Sequence, residues 1–335
     1  MLLWDRYVSD GTFTMWQAPA LLLGAILHLF LYRGEAVTGL APAMKSLWAS
    51  GLLLQSGGAR VVLECARFYM SLISKRILSD TYDLLDVMGP DEYHEHVKNN
   101  AYTNEMARMT LNYAVEVCQK YLPETDEAEL MHFADAAKHL KHQAPDPKTG
   151  LIEQFDGYFK LENVLVPEVR SRLIDPREYW GGAYGVAAQT QVIKQADVIA
   201  LLYMLGQYPA DIIAANYDYY EPRTEHGSSL SACMYALCAC AIGRPAAAYP
   251  LFLKSAEADI VGGGKQWAGL VYIGGTHPAA GGAYMVLLYG FLGLHFEDGK
   301  PTLHPRLPEG WKKVQMQVHW QGKDWLLTAE EGQQA

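Results

Sequence analysis

A chain of 335 residues, half of them apolar and 19% charged, can bury one large core or two ordinary ones and is not a disordered polymer. Its formal net charge of -10, from 27 Lys+Arg against 37 Asp+Glu, excludes the basic stripe of a nucleic-acid surface. A small anion held in a local pocket of positive charge remains compatible with it.

The first long apolar run, Ala18 to Tyr32, is interrupted by His28 and falls short of the roughly 18–20 residues that span a bilayer. It reads as a core helix. The opening Met-Leu-Leu-Trp-Asp-Arg lacks the order of a signal peptide, so a soluble, cytoplasmic protein is expected. Helical periodicity then recurs over Gly58–Ile77, Asn100–Leu122, Asp126–His142, Ile193–Leu205, Ser228–Ile242, Ala246–Ala258 and Gly281–Leu292. Several of these stretches are apolar almost all round, which requires cover on more than one side. The segments Met88–Asn99, Ala144–Trp180 and Ala215–Gly227 read as long loops, and a compact domain seldom keeps such loops without a use for them.

After Glu297 the texture changes. Pro301–Pro308 is extended and Pro-punctuated, Val314–Trp320 alternates with period two, and Gln321–Asp324 offers a turn before Trp325–Thr328. A mainly α chain is expected, helical over 1–294 with a small β-sheet part over 295–335. The cysteines are odd in number, and Cys233, Cys238 and Cys240 share one apolar stretch. That is neither a disulfide framework nor a zinc spacing. They read as buried thiols of a reducing compartment.

Three polar clusters sit at helix starts. In the first, Gly89-Pro90 forces a turn and Asp91, Glu92 and Glu95 follow at once, ahead of Asn99-Asn100 and a helix. A loop end between buried helices is where a carboxylic acid can keep a proton to donate; the same pattern also serves as an acidic N-terminal cap. Asp91 and Glu95 read as capping or loop-fixing groups. In the second, Tyr219 to Ser231 brings Glu221, Glu225, His226 and Gly227-Ser228-Ser229 to the start of an apolar helix. Free backbone N–H groups and hydroxyls there suit an oxyanion such as phosphate, or form an ordinary Ser cap. A nucleophile elbow is excluded, because the Gly-x-Ser-x-Gly frame is absent. The third is Gly274-Gly275-Thr276-His277-Pro278, where His277 is either a phosphate donor or a structural histidine. Lys194-Gln195 beside Asp197 can bind sugar hydroxyls or form a solvated face. Gly262-Gly263-Gly264-Lys265 lacks the spacing of a nucleotide loop.

Taken in order, these segments resemble glycoside hydrolase family 65, the maltose, kojibiose, nigerose and trehalose phosphorylases. The matching stretches are Gly89-Pro-Asp-Glu-Tyr93 with Asn99-Asn-Ala-Tyr-Thr-Asn104, Phe155-Asp-Gly-Tyr-Phe159, Lys194-Gln-Ala-Asp-Val198, Tyr220 to Ser231, and Gly275 to Gly282. The resemblance implies an (α/α)6 barrel followed by a C-terminal β-sheet domain. It makes Glu92 the general acid, gives Lys194 and Gln195 to the glucosyl residue, and sends phosphate to Ser228, Ser229, Thr276 and His277. Phe155 and Asp156 join the substrate site, Asp156 shaping the rim on the acceptor side. Inorganic phosphate is the co-substrate, no metal or nucleotide is implied, and a homodimer is the expected assembly. The Thr224-Glu225-His226-Gly227-Ser228-Ser229 form looks closest to nigerose-type phosphorylases.

Members of that family also carry an N-terminal β-sandwich and a sugar-binding Trp-Asp pair. Nothing here resembles the sandwich, and Trp4-Asp5 matches the pair without matching its surroundings. The chain is therefore expected to be an N-terminally incomplete barrel that exposes apolar helix faces. Two alternatives stand beside inverting phosphorolysis. One is an inverting hydrolase of trehalase type, with Glu225 or Glu221 as base. The other is a sugar-binding fragment that has lost turnover.

Overall fold

The structure, a computed structural model, describes residues 54–332 apart from residues 177, 259–265, 268–269, 272–275, 298–299 and 321. The apolar run 18–32 and the Trp4-Asp5 pair lie outside the described residues. In chain order the elements are α1 (Ala59–Leu72), β1 (Ile73–Lys75), β2 (Tyr82–Leu84), α2 (Ala101–Tyr121), α3 (Glu127–His139), α4 (Val166–Ser171), α5 (Val198–Leu205), α6 (Ala210–Tyr220), α7 (Ser231–Ala241) and α8 (Pro245–Ala256). They continue with β3 (Gln266–Trp267), β4 (Leu270–Val271), α9 (Thr276–Met285), β5 (Leu294–Glu297), β6 (Lys300–Leu303), β7 (Lys313–Trp320) and β8 (Lys323–Glu330). The described chain divides into two compact units, residues 54–82 with 106–140, and residues 83–105 with 141–332.

The first unit is held by one apolar cluster. Val62, Leu63 and Ala66 of α1, Leu111, Ala114 and Cys118 of α2, and Phe133 and Ala136 of α3 are buried together. Asp126 caps α3 by accepting from the Ala128 N–H at 3.1 Å, the role short acidic side chains fill at a helix start. α1 stops at Leu72, short of the helix expected through Ile77. Residues 73–75 are extended, and Ile77 is 98% exposed, so nothing packs there to hold another helical turn.

In the second unit α7 is buried along its whole length from Ser231 to Cys240, with α5, α6, α8 and α9 around it. Cys233 and Gly282 set how closely α7 and α9 approach: a Cβ at Gly282 would lie 2.5 Å from the Cys233 sulfur. α5 is apolar on every face and ends at Gly206 in the left-handed region, φ 59°. α9 passes into a π-helical turn over Val286–Phe291, after which β5 pairs antiparallel with β6. β7 pairs antiparallel with β8, Lys313 opposite Glu330 and Trp320 opposite Lys323. The alternation read in 314–320 is a real face: Val314, Met316 and Val318 pack with Leu327, Leu292 and Leu294.

Two expectations of local structure are corrected. Residues 215–220 are not loop but the end of α6. Asn, Asp and Tyr are modest helix formers, and burial decides instead. Ile213, Tyr217 and Tyr220 are covered, and the buried Asn216 amide donates to the Gly150 carbonyl at 2.9 Å. Helix expected from Ile193 begins only at Val198, because 193–195 pair with 223–227. The Ile193 N–H donates to Arg223 O at 2.9 Å, and the Glu225 N–H donates to Ile193 O at 2.8 Å.

Candidate active site

The acidic segment forms a loop closed at its base. Val87 and Val97 exchange both backbone hydrogen bonds, at 3.0 and 2.8 Å, and the intervening chain carries Glu92 at its far end. Asp86, His96 and Asn99 adopt left-handed backbone, with φ of 56°, 56° and 53°. Non-glycine residues hold such angles only where surroundings over-determine them. At Asn99 those surroundings are visible. Its buried side chain accepts from the Leu84 N–H and Asn104 Nδ2, each at 3.1 Å, and donates to Asp83 and Asp156, each at 2.8 Å. Gly89 meets a steric demand: a Cβ there would lie 2.3 Å from Asn100 Nδ2 and 2.4 Å from Asp197 Oδ2.

Glu92 is the part of this loop that comes to the surface, its side chain 39% exposed beside a Lys194 side chain only 4% exposed. Its carbonyl accepts from the Tyr179 hydroxyl at 2.9 Å. A Cβ at Gly181 would lie 2.9 Å from that same carbonyl and 2.8 Å from the Tyr93 Cα, so the 179–181 strip needs glycine to lie flat on the loop. The Tyr93 ring stacks on Trp180 at 6.0 Å, and its hydroxyl donates to Glu225 Oε2 at 3.3 Å. Burial pushes the Tyr93 phenol far above its usual range, so the hydroxyl stays a donor.

Lys194 and Gln195 meet the loop directly. Lys194 Nζ donates to Glu92 Oε2, and Gln195 Nε2 donates to the Pro90 carbonyl. The Lys194 N–H donates to Asp91 Oδ1 at 2.8 Å. Beneath them lies a closed polar network. Asp91 Oδ2 accepts from Gln154 Nε2 at 3.1 Å and faces His94 Nδ1 at 2.6 Å, while His94 Nε2 faces the Thr190 carbonyl at 2.8 Å. Both imidazole nitrogens point at acceptors, which a doubly protonated ring satisfies. Burial opposes that charge, but Asp91 and the Thr190 carbonyl outweigh it and hold the His94 pKa above the usual value. Asp197, wholly buried, accepts from the Asp91 N–H at 3.2 Å and from Asn100 Nδ2 at 3.0 Å. Burial and then the nearby Asp91 carboxylate raise its pKa to about 7, against the pull of those two donors.

Glu92, Lys194 and Gln195 are thus brought together. Phe155 is buried, its ring 5.2 Å from His94 and 5.3 Å from Tyr158. Asp156 is turned to the base of the loop, where it accepts from Asn99 and Gln143, each at 2.8 Å. Ser228 and Ser229 follow Gly227, whose N–H donates to the Lys194 carbonyl at 2.9 Å, so this segment starts against the Lys194 backbone. The alternative of an ordinary Ser cap does not hold: α7 begins at Ser231 with Leu230 in the cap position, and 228–230 form a turn ahead of it. Ser231 instead reaches back, its Oγ 2.8 Å from His226 Nδ1 and accepting from the Ala196 N–H at 3.1 Å. Thr276 and His277 open α9; their side chains lie outside what the structure describes. Of the carboxylates considered as a hydrolytic base, Glu225 is buried and engaged by Tyr93, with Arg170 at 3.9 Å.

Asp91 was legible as a loop-fixing group, whereas Asn100, Tyr179 and Asp197 acquire their site positions through contacts distant in sequence, and His94 through Thr190 as well as the nearby Asp91. Two signals mark them in retrospect: a charged Asp197 at the head of a wholly apolar helix, and paired Asn99-Asn100 before a helix start.

Residues 50–275 match the glycosyl hydrolase family 65 central catalytic domain, and residues 294–332 match the C-terminal domain of the same family. The chain belongs to glycosyl hydrolase family 65. It is 50% identical to a nigerose phosphorylase of Lachnoclostridium phytofermentans over 295 residues, 84% of this chain and 39% of that protein. It is 40% identical to a 1,2-alpha-glucosylglycerol phosphorylase of Bacillus selenitireducens, over 76% of this chain and 35% of that one. A solved structure from the human microbiome, assigned as a kojibiose phosphorylase, superposes with a TM-score of 0.74 at 23% identity, over 89% of this chain and 44% of that one. The fold class is that of the family, an incomplete (α/α)6 barrel followed by a small β domain. The chain spans less than half the length of these relatives. Among the described residues no helix is long and apolar enough to cross a membrane.

Proposed function

We propose that this chain carries the general acid and the glucosyl-holding residues of an inverting α-glucoside phosphorylase, with nigerose the first substrate to try. The observation that carries the reading is the Glu92–Lys194–Gln195 constellation: an accessible carboxyl on a hydrogen-bonded loop, met side chain to side chain by Lys194, with Gln195 donating to the Pro90 carbonyl of the same loop. On binding, a glucosyl hydroxyl accepts from Lys194 in place of Glu92, and protonated Glu92 turns to the glycosidic oxygen. The bond from C1 to that oxygen breaks with its electron pair going to the oxygen, which takes the Glu92 proton. A phosphate oxygen forms the new bond to C1 on the opposite face, giving β-glucose 1-phosphate and a free sugar. Phosphate arrives as an anion and needs no base, whereas an inverting hydrolase needs a second carboxylate to activate water. The engagement of Glu225 by Tyr93 in a buried setting counts against Glu225 as that base and leaves Glu221 as the other carboxylate such a hydrolase would need. The 50% identity to a nigerose phosphorylase supports nigerose over the other disaccharides.

The test is incubation of the intact protein with nigerose, kojibiose, maltose and trehalose in turn, with and without inorganic phosphate. Phosphate-dependent glucose 1-phosphate that disappears in Glu92→Gln is the expected result. Equal glucose release with and without phosphate would replace this reading with the hydrolase.

A further inference from the structure

The Glu92 loop and the Lys194-Gln195 segment come from opposite ends of about a hundred residues of chain, yet their side chains must meet one sugar in one geometry. The group that joins their main chains is Asp91. Its Oδ1 accepts from the Tyr93 N–H at 3.1 Å and from the Lys194 N–H at 2.8 Å, and its Oδ2 faces His94 Nδ1 at 2.6 Å and Gln154 Nε2 at 3.1 Å. Those four donors fill the lone-pair sites of a carboxylate. The side chain is wholly buried, so it meets no substrate. An acidic side chain that merely closed its own turn would need only the Tyr93 contact two residues on. The Lys194 contact completes a ring instead: Asp91 carboxylate to Lys194 N–H, Lys194 ammonium to Glu92 carboxyl, and Glu92 back along the chain to Asp91. The Asp91 N–H is pinned in turn by Asp197, which Asn100 holds from the head of α2.

We propose that Asp91 is a positioning residue of the reaction, fixing the register between the general acid and the glucosyl-holding segment without touching substrate. This rests on the phosphorolytic reading above. An amide at position 91 presents two hydrogens where the carboxylate accepts from His94 and Gln154 or from Tyr93 and Lys194, so one side of the ring must open. A misplacement of about 1 Å at the reacting groups costs roughly 100-fold in rate.

The experiment measures Asp91→Asn, Glu92→Gln and the wild type in the intact protein, each with inorganic phosphate and two glucosyl donors. One donor is nigerose, whose leaving sugar needs a proton. The other is α-glucosyl fluoride, whose leaving fluoride does not. Both variants should lose about 100-fold or more in kcat on the disaccharide while keeping fluoride turnover close to wild type. Gln154→Leu removes one of the four donors and leaves the Lys194 contact, so it should show the same split at smaller amplitude; it serves if Asp91→Asn does not fold. Asp91→Asn losing both donors by the same factor, or neither, overturns the positioning role while wild-type turnover preserves the functional reading. A wild type that converts neither donor with phosphate overturns both.

Discussion

Asp197 allows a quantitative pH experiment, because its carboxyl is wholly buried and its partners are known. In the fold it releases its proton near pH 7, and in an unfolded chain near about 3.9. The sign follows from proton binding. Between those values the folded chain holds the proton and the unfolded chain does not, so stability falls as pH rises, and the loss saturates above about 7. The whole difference is about 4 kcal/mol, of which about 3 kcal/mol falls between pH 5 and 8. For a unit of this size that corresponds to roughly 6–12 °C in melting temperature. His94 acts in the same direction: its pKa is raised in the fold, so its contribution is present below about pH 6.5 and is lost as pH rises through the folded value. Thermal melts of wild type and Asp197→Asn across pH 5–8 separate the two. The amide mimics the protonated acid and still accepts from Asp91 and Asn100, so the variant should lose markedly less melting temperature than wild type, keeping the parts of His94 and of Glu221, whose pKa burial also raises. Parallel curves would refute the assignment of a titrating carboxyl to this position.

Further substitutions probe the packing around the site. Gly89→Ala forces a Cβ to within 2.4 Å of Asp197; a destabilisation of about 1–3 kcal/mol by denaturant melts is expected, with loss of turnover because the acid loop must shift. Gly282→Ala, against the Cys233 sulfur, should cost a similar amount, roughly 1–3 kcal/mol, through α7–α9 packing alone. Ser231→Ala strands the buried Ala196 N–H and should destabilise by about 1–3 kcal/mol. Glu225→Gln should retain phosphate-dependent turnover within about an order of magnitude, since its carboxylate holds Tyr93 rather than water; abolished activity in a folded variant would count for the hydrolase.

What the sequence made legible was of one kind: local patterns that act over a single turn or strand. Asp126 before Glu127, the wholly apolar 231–240 stretch and the alternating 314–320 strand each became the element they suggested. Residues 215–220 did not, because Tyr217 and Tyr220 become helical by being covered, and cover is a property of neighbours. The site divides along the same line. Glu92, Lys194 and Gln195 stood out by residue type near expected helix starts, but residue type left each of them an ordinary capping or surface role as well, and only the family resemblance set them apart. The buried links among Asp91, Asp197 and Asn100 span about a hundred positions and carry no periodicity to find. Phe155 shows the converse: an aromatic beside a Gly turn suits a sugar platform, yet the ring lies buried against His94 and Tyr158.

The thiols on α7 have a practical use. Cys233, Cys238 and Cys240 are all buried on one helix, and burial pushes the Cys240 thiol up to about 12, so neither access nor ionisation favours attack. A thiol-labelling reagent therefore reacts with them only during excursions in which α7 comes away from its neighbours. Counting label on these three sulfurs over time, apart from Cys65 and Cys118 of the other unit, would clock the breathing of this helix, and sugar or phosphate slowing that clock would register occupancy without any turnover being measured.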